Sequence, residues 1–134
     1  KEYQRKIVEN AAALAASIKS SGVRLVSGGT DNHLLLADVA SKGINGAYIQ
    51  MLLESVGITA NKNTIPFDPL PPRLASGLRL GSAAVTTRGM GTAEMYEIGK
   101  MICRLIYERE DAAPEIKEQV QNLLRNFPLY SEIR

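Results

Sequence analysis

Four of the chain's six prolines fall in Pro66-Phe67-Asp68-Pro69-Leu70-Pro71-Pro72. Each proline fixes φ and removes a backbone donor, so neither a helix nor a central strand survives that density. Residues Asn61 to Ser76 are therefore predicted to be irregular, and the prolines make such a loop stiff and cheap in entropy to hold in one shape. Lys62, Arg73, Arg79 and Arg88 lie in or near the loop against Asp68 alone. That local excess of positive charge suits an anionic ligand, and it equally suits a solvated surface loop.

Directly after the loop comes Ser76-Gly77-Leu78-Arg79-Leu80-Gly81-Ser82. Read with period two, it is a short strand with Leu78 and Leu80 on an inward face. Gly77, Arg79 and Gly81 share the other face, which leaves an open trough around one guanidinium. Arginine stays charged, and its planar fork matches a carboxylate, so this is a candidate socket for a small anion. The plainer reading is a solvent-facing arginine on an edge strand whose glycines mark a bulge.

The rest of the chain reads as alternating helices and short strands. Residues 1 to 20 carry Tyr3, Ile7, Ala11, Leu14, Ala15 and Ile18 at helical spacing, with Gly22 as C-cap. Val23–Ser27 and His33–Val39 read as strands of an antiparallel hairpin, joined by the turn-rich Ser27-Gly28-Gly29-Thr30-Asp31-Asn32. No helix follows Gly28-Gly29 and no full glycine fingerprint is present, so a turn is favoured there over a phosphate loop. His33, the one histidine, has no partner at ligand or triad spacing and is read as structural or surface-exposed. A second helix spans Asn45 to Val56, with Asn45 as N-cap and Tyr48, Met51, Leu52 and Val56 as its buried stripe. A third begins at Thr92 as N-cap, with Glu94 in its first turn, and buries Met95, Ile98, Met101, Ile102, Leu105 and Ile106. A fourth opens near Pro114, buries Ile116, Val120, Leu123, Leu124 and Phe127, and stops at Pro128. The fold class is α+β, a small antiparallel sheet of three or four strands packed with helices. The long apolar stripes on the first and third helices predict an interface left open on the isolated chain.

With 134 residues, 45% hydrophobic and 22% charged, the chain is one domain with a real core. A net charge of +2, with no Lys/Arg run or aromatic interleaving, does not support nucleic-acid binding, and none is expected. No apolar run approaches the roughly 20 residues of a membrane span. The single Cys103 excludes an internal disulfide, suits a reducing, cytoplasmic compartment, and is placed on a buried helix face. No carboxylate pair, activated nucleophile or metal cluster emerges. The chain opens at Lys1-Glu2-Tyr3, inside a helical pattern, and is read as a piece of a longer protein.

Four separated motifs and the closing segment occur in a familiar order: Ser27-Gly28-Gly29-Thr30-Asp31-Asn32-His33, Asn61-Lys62-Asn63-Thr64-Ile65-Pro66, Ser76-Gly77-Leu78-Arg79-Leu80-Gly81, Thr86-Thr87-Arg88-Gly89 and Phe127-Pro128-Leu129-Tyr130. Together they resemble the C-terminal domain of serine hydroxymethyltransferases, over nearly the whole chain. The resemblance implies the small domain of the aspartate-aminotransferase class of pyridoxal-phosphate enzymes. It also implies a homodimer or homotetramer that interconverts serine plus tetrahydrofolate with glycine plus methylenetetrahydrofolate, in one-carbon metabolism. By the same resemblance Arg79 binds the amino-acid carboxylate, Asn63 contacts the folate pterin, and Lys62 is a further candidate on the folate side.

Two departures stand out. Gly81-Ser82-Ala83-Ala84 replaces the family's usual Gly-Thr-Pro-Ala. The family's Schiff-base lysine and phosphate-binding residues have no counterpart here, so the cofactor-binding large domain is expected upstream and the chain alone is expected to be inactive. The alternatives are the small domain of another enzyme of that fold type, such as an aminotransferase, or a non-enzymatic interaction module.

Overall fold

A computed structural model describes residues 2–26, 34–81 and 89–127. Four helices and three strands are formed among the described residues: α1 (Glu2–Ser20), β1 (Leu34–Asp38), α2 (Gly46–Ser55), β2 (Asn61–Asn63), β3 (Gly77–Gly81), α3 (Thr92–Glu108) and α4 (Ala113–Asn126). Short 3-10 turns at Ala40–Lys42 and Arg109–Ala112 join neighbouring elements. The α+β class expected from the pattern is the one observed. No helix among the described residues is long and apolar enough to cross a membrane.

The sheet is antiparallel, in the order β1-β3-β2. Leu36 and Arg79 face each other across β1 and β3, and Arg79 and Asn61 face each other across β3 and β2. The strand that follows the proline loop is therefore central, not at an edge. Its inward leucines, Leu78 and Leu80, are buried as the period predicts. Fully burying a side chain of that size contributes roughly 1.5–3 kcal/mol. They join a core that includes Leu35, Ala37, Ile49, Leu53, Ile102 and Leu105.

Several sequence expectations are corrected. Asn61–Asn63 forms a strand, because pairing with β3 supplies hydrogen bonds that its own composition does not advertise. Of the expected strand Val23–Ser27, Leu25 makes a single antiparallel bridge to Ala37. Asn45 caps α2 as expected, its side-chain oxygen accepting from the Tyr48 N–H at 2.9 Å. The buried positions of α2 are Gly46, Ile49, Leu52 and Leu53, whereas Met51 is 63% exposed. The N-cap of α3 is Gly91, not Thr92. The Glu94 carboxylate accepts from the Gly91 N–H at 2.7 Å, which moves the cap back one residue.

The stripes of α1 and α3 are not left open. The two helices pack on each other, burying Ala11, Leu14, Ala15 and Ile18 with Met95, Ile102, Leu105 and Ile106. Their crossing is close. A Cβ on Gly99 would lie 2.4 Å from Ser17 Oγ, and that hydroxyl donates to the Tyr96 carbonyl at 2.6 Å. Cys103 lies at the same crossing, 2% exposed. The turn at Gly28-Gly29, His33, Ser82–Ala84, Arg88 and the stop at Pro128 lie outside the described residues.

Candidate functional site

The sheet has two unlike faces. Leu35, Ala37, Leu78 and Leu80 point into the helical side. The opposite face carries Leu34, Leu36 and Asp38 from β1, Gly77, Arg79 and Gly81 from β3, and Asn61 and Asn63 from β2, as the register and alternation require, with Asp38 paired to Arg24 at 3.0 Å. On it Leu34, Arg79, Gly81 and Asn61 are exposed. The Arg79 guanidinium makes no hydrogen bond or ion pair among the described residues. The exposed Arg79 fork stands on the central strand next to exposed Gly81 and Asn61, with no carboxylate partner among the described residues.

The trough predicted around Arg79 is closed on one side. A Cβ on Gly77 would stand 2.6 Å from the Asn63 carbonyl oxygen and 2.9 Å from both Ile65 and Leu36. Gly77 thus exists for close packing, with the Leu36 and Ile65 side chains filling the space above it. The open flank lies toward Gly81, which is exposed.

The register separates the other expected ligands. Asn63 shares the face of Arg79, and its amide donates to the Thr64 carbonyl at 2.9 Å. Lys62 sits opposite Leu78 and projects toward the helical side, where its Nζ donates to the Arg73 carbonyl at 2.9 Å. Its backbone N–H donates to Gln50 Oε1 at 2.6 Å. Lys62 therefore ties the proline loop and α2 to the strand edge.

The loop is held by a residue that composition flagged only as its lone acid. Asp68 accepts from the N–H groups of Ile65, Leu70 and Ser76 at 3.2, 2.8 and 2.9 Å, and from the Ser76 hydroxyl at 2.6 Å. Desolvation pushes its pKa up, but the hydrogen bonds, led by the Ser76 hydroxyl, outweigh it and hold the carboxyl at about 2. An Asp inside a proline-rich turn is the signal for such a cap. The first amides of α2 complete the clamp: Gly46 N–H donates to the Ala75 carbonyl at 2.8 Å and Ala47 N–H to Leu74 at 2.9 Å. The clamp holds Ala75 at φ 61° and sets the chain's direction into β3. The chain enters the Arg79 strand through this hydrogen-bonded turn.

A separate cavity of about 280 Å³ lies among Leu80, Met90, Met95, Ile102, Val120 and Leu124. Its lining is mostly apolar, with Thr59 among it, and holds no titratable group. The described lysines are exposed, apart from half-buried Lys42, and none lines this cavity. The described residues therefore do not fit pyridoxal phosphate: no sheltered lysine is available to carry it. No group of three or more metal-ligating side chains that could hold an ion occurs among the described residues. A guanidinium has the charge and the planar donor fork that a carboxylate matches. Residues 1–102 match the family model described as serine hydroxymethyltransferase.

Proposed function

The chain belongs to the serine hydroxymethyltransferase family, and from this premise we propose that it is the C-terminal small domain of such an enzyme, with Arg79 as ligand of the substrate carboxylate. The family implies pyridoxal phosphate and a folate in the full enzyme. This domain contributes substrate orientation, and the large domain contributes the cofactor site. Arg79 receives the carboxylate of serine or glycine in a bidentate fork, which fixes two atoms of the amino acid. The single observation that carries the reading is the exposed Arg79 guanidinium on the central strand, without a partner among the described residues.

Asn63, on the same face and at the sheet edge, supports a folate contact, since an amide offers both donors and an acceptor to a heteroaromatic rim. Lys62 is a weaker folate candidate, because its ammonium is engaged by the Arg73 carbonyl.

The test is Arg79→Ala and Arg79→Lys in the full-length, cofactor-loaded enzyme, with glycine and serine affinity measured by calorimetry. Loss of the charged partner is expected to cost about 2–5 kcal/mol, roughly 30-fold to several-thousand-fold in affinity. Lysine restores part of it, because a point charge does not reproduce the fork. Near-normal glycine affinity in Arg79→Ala, with cofactor bound, would place the carboxylate site elsewhere.

A further inference from the structure

The register sets two side chains directly across from Arg79, Leu36 on β1 and Asn61 on β2. Asn61 on β2 is the cross-strand partner of Arg79. Directly opposed residues project from the same face with Cβ atoms about 4.5–5.5 Å apart. Both side chains are exposed, and neither makes a side-chain hydrogen bond among the described residues. The rest of β2 differs. The Asn63 amide is engaged by the Thr64 carbonyl and the Lys62 ammonium by the Arg73 carbonyl. On its other flank Arg79 faces Leu36, which has nothing to donate.

We infer that Asn61 is a second ligand of the substrate carboxylate, completing with Arg79 an asymmetric anion seat. A carboxylate has about four lone-pair sites, of which a bidentate arginine uses two. The Asn61 NH₂ group supplies a further donor from the β2 side. Being neutral, the amide adds a hydrogen bond without cancelling the charge of Arg79. Leu36 walls the opposite side, so the carboxylate is drawn toward β2 and the rest of the amino acid is oriented by that choice. This inference rests on the reading of Arg79 as the carboxylate ligand.

The experiment compares Asn61→Ala, Asn61→Asp and Arg79→Ala in the full-length, cofactor-loaded enzyme. It measures glycine and tetrahydrofolate dissociation constants by calorimetry, and the thermal midpoint. Asn61→Ala is expected to weaken glycine binding roughly 10- to 100-fold, the range of one hydrogen bond to a charged group. Asn61→Asp should weaken it further, because a fixed carboxylate then occupies Arg79 and repels the substrate. Tetrahydrofolate affinity and the thermal midpoint should stay near those of the parent. Glycine affinity within twofold of the parent in both Asn61 variants, with Arg79→Ala impaired, would overturn the role of Asn61 and leave that of Arg79 standing. If Arg79→Ala also binds normally, the underlying reading falls. A joint loss of glycine affinity, folate affinity and thermal stability in both Asn61 variants would make the residue structural and overturn the inference.

Discussion

The Ser76 hydroxyl donates to Asp68 Oδ1 at 2.6 Å while the Ser76 N–H donates to Asp68 Oδ2 at 2.9 Å, so one carboxylate holds the residue that leads into β3 by two bonds. Two further N–H groups, from Ile65 and Leu70, converge on the same carboxylate. Everything the loop does for Arg79, three residues downstream, depends on this acceptor staying ionised.

The pH dependence follows from the sign of the shift. Asp68 is held at about 2 against an ordinary value of 3.8. A depressed pKa gives stability that is complete above the unfolded value and lost as pH falls through the folded one. Asp68→Asn keeps the shape but removes the charge, and its NH₂ group meets donors rather than acceptors. The variant should have a lower thermal midpoint than the parent at neutral pH. That gap should stay constant above about pH 4 and close between about pH 4 and pH 2, as the parent loses the same charge. Thermal scans of both proteins across that range decide it. A gap of unchanged size at pH 2 would show that the charge of Asp68 contributes nothing.

How far the sequence reveals this architecture depends on whether the governing interaction is local. The inward turn of Leu78 and Leu80 follows from alternation within one strand, and both are buried. Asn45 as a cap follows from a contact three residues away. The exposure of Met51 does not: α2 carries apolar residues around much of its circumference, and packing against α3 and β2 chooses Ile49 and Leu53. Likewise β2 is a strand because β3 pairs with it. For the site, the family resemblance and the glycine-flanked pattern both point to Arg79. That Asn61 and Asn63 share its face while Lys62 turns away is a matter of register, which no local pattern encodes. Buried Ser17 and Asn10 were also hidden, since their acceptors, the carbonyls of Tyr96 and Met90, lie on the far side of the chain. The one available hint was Gly99, a poor helix former in the middle of a helix.

Gly99 gives a direct test of the α1–α3 crossing. On propensity alone, Gly→Ala inside a helix is favourable by about 1 kcal/mol. Here the new methyl group would lie 2.4 Å from Ser17 Oγ and 2.6 Å from Ser17 Cβ. Ser17 is fully buried and hydrogen-bonded to Tyr96, so it cannot swing aside. Overpacking of this kind costs about 1–3 kcal/mol, and Gly99→Ala should therefore lower the urea midpoint. Adding Ser17→Gly removes both clashing atoms and should recover part of the loss. A rise in midpoint for Gly99→Ala alone would mean that the helices separate easily and that their contact is not tight.

Cys103 reports on the same crossing without any change in sequence. Its thiol is 2% exposed on the buried face of α3, near the Ile18 carbonyl of α1. Burial raises its pKa to about 11, so at pH 7 only about one molecule in ten thousand carries the reactive thiolate. A thiol reagent should thus leave the native protein unlabelled on mixing and react stoichiometrically once denaturant separates α1 from α3. Between these limits the labelling rate should follow the opening equilibrium of the crossing. Gly99→Ala, which forces the helices apart one turn from Cys103, should then label faster than the parent in the absence of denaturant. Ser17→Gly added to that variant should slow it again. Complete labelling of the native parent within seconds would show that the sulfur is open to solvent, and equal rates in parent and Gly99→Ala would show that the crossing does not control access to it.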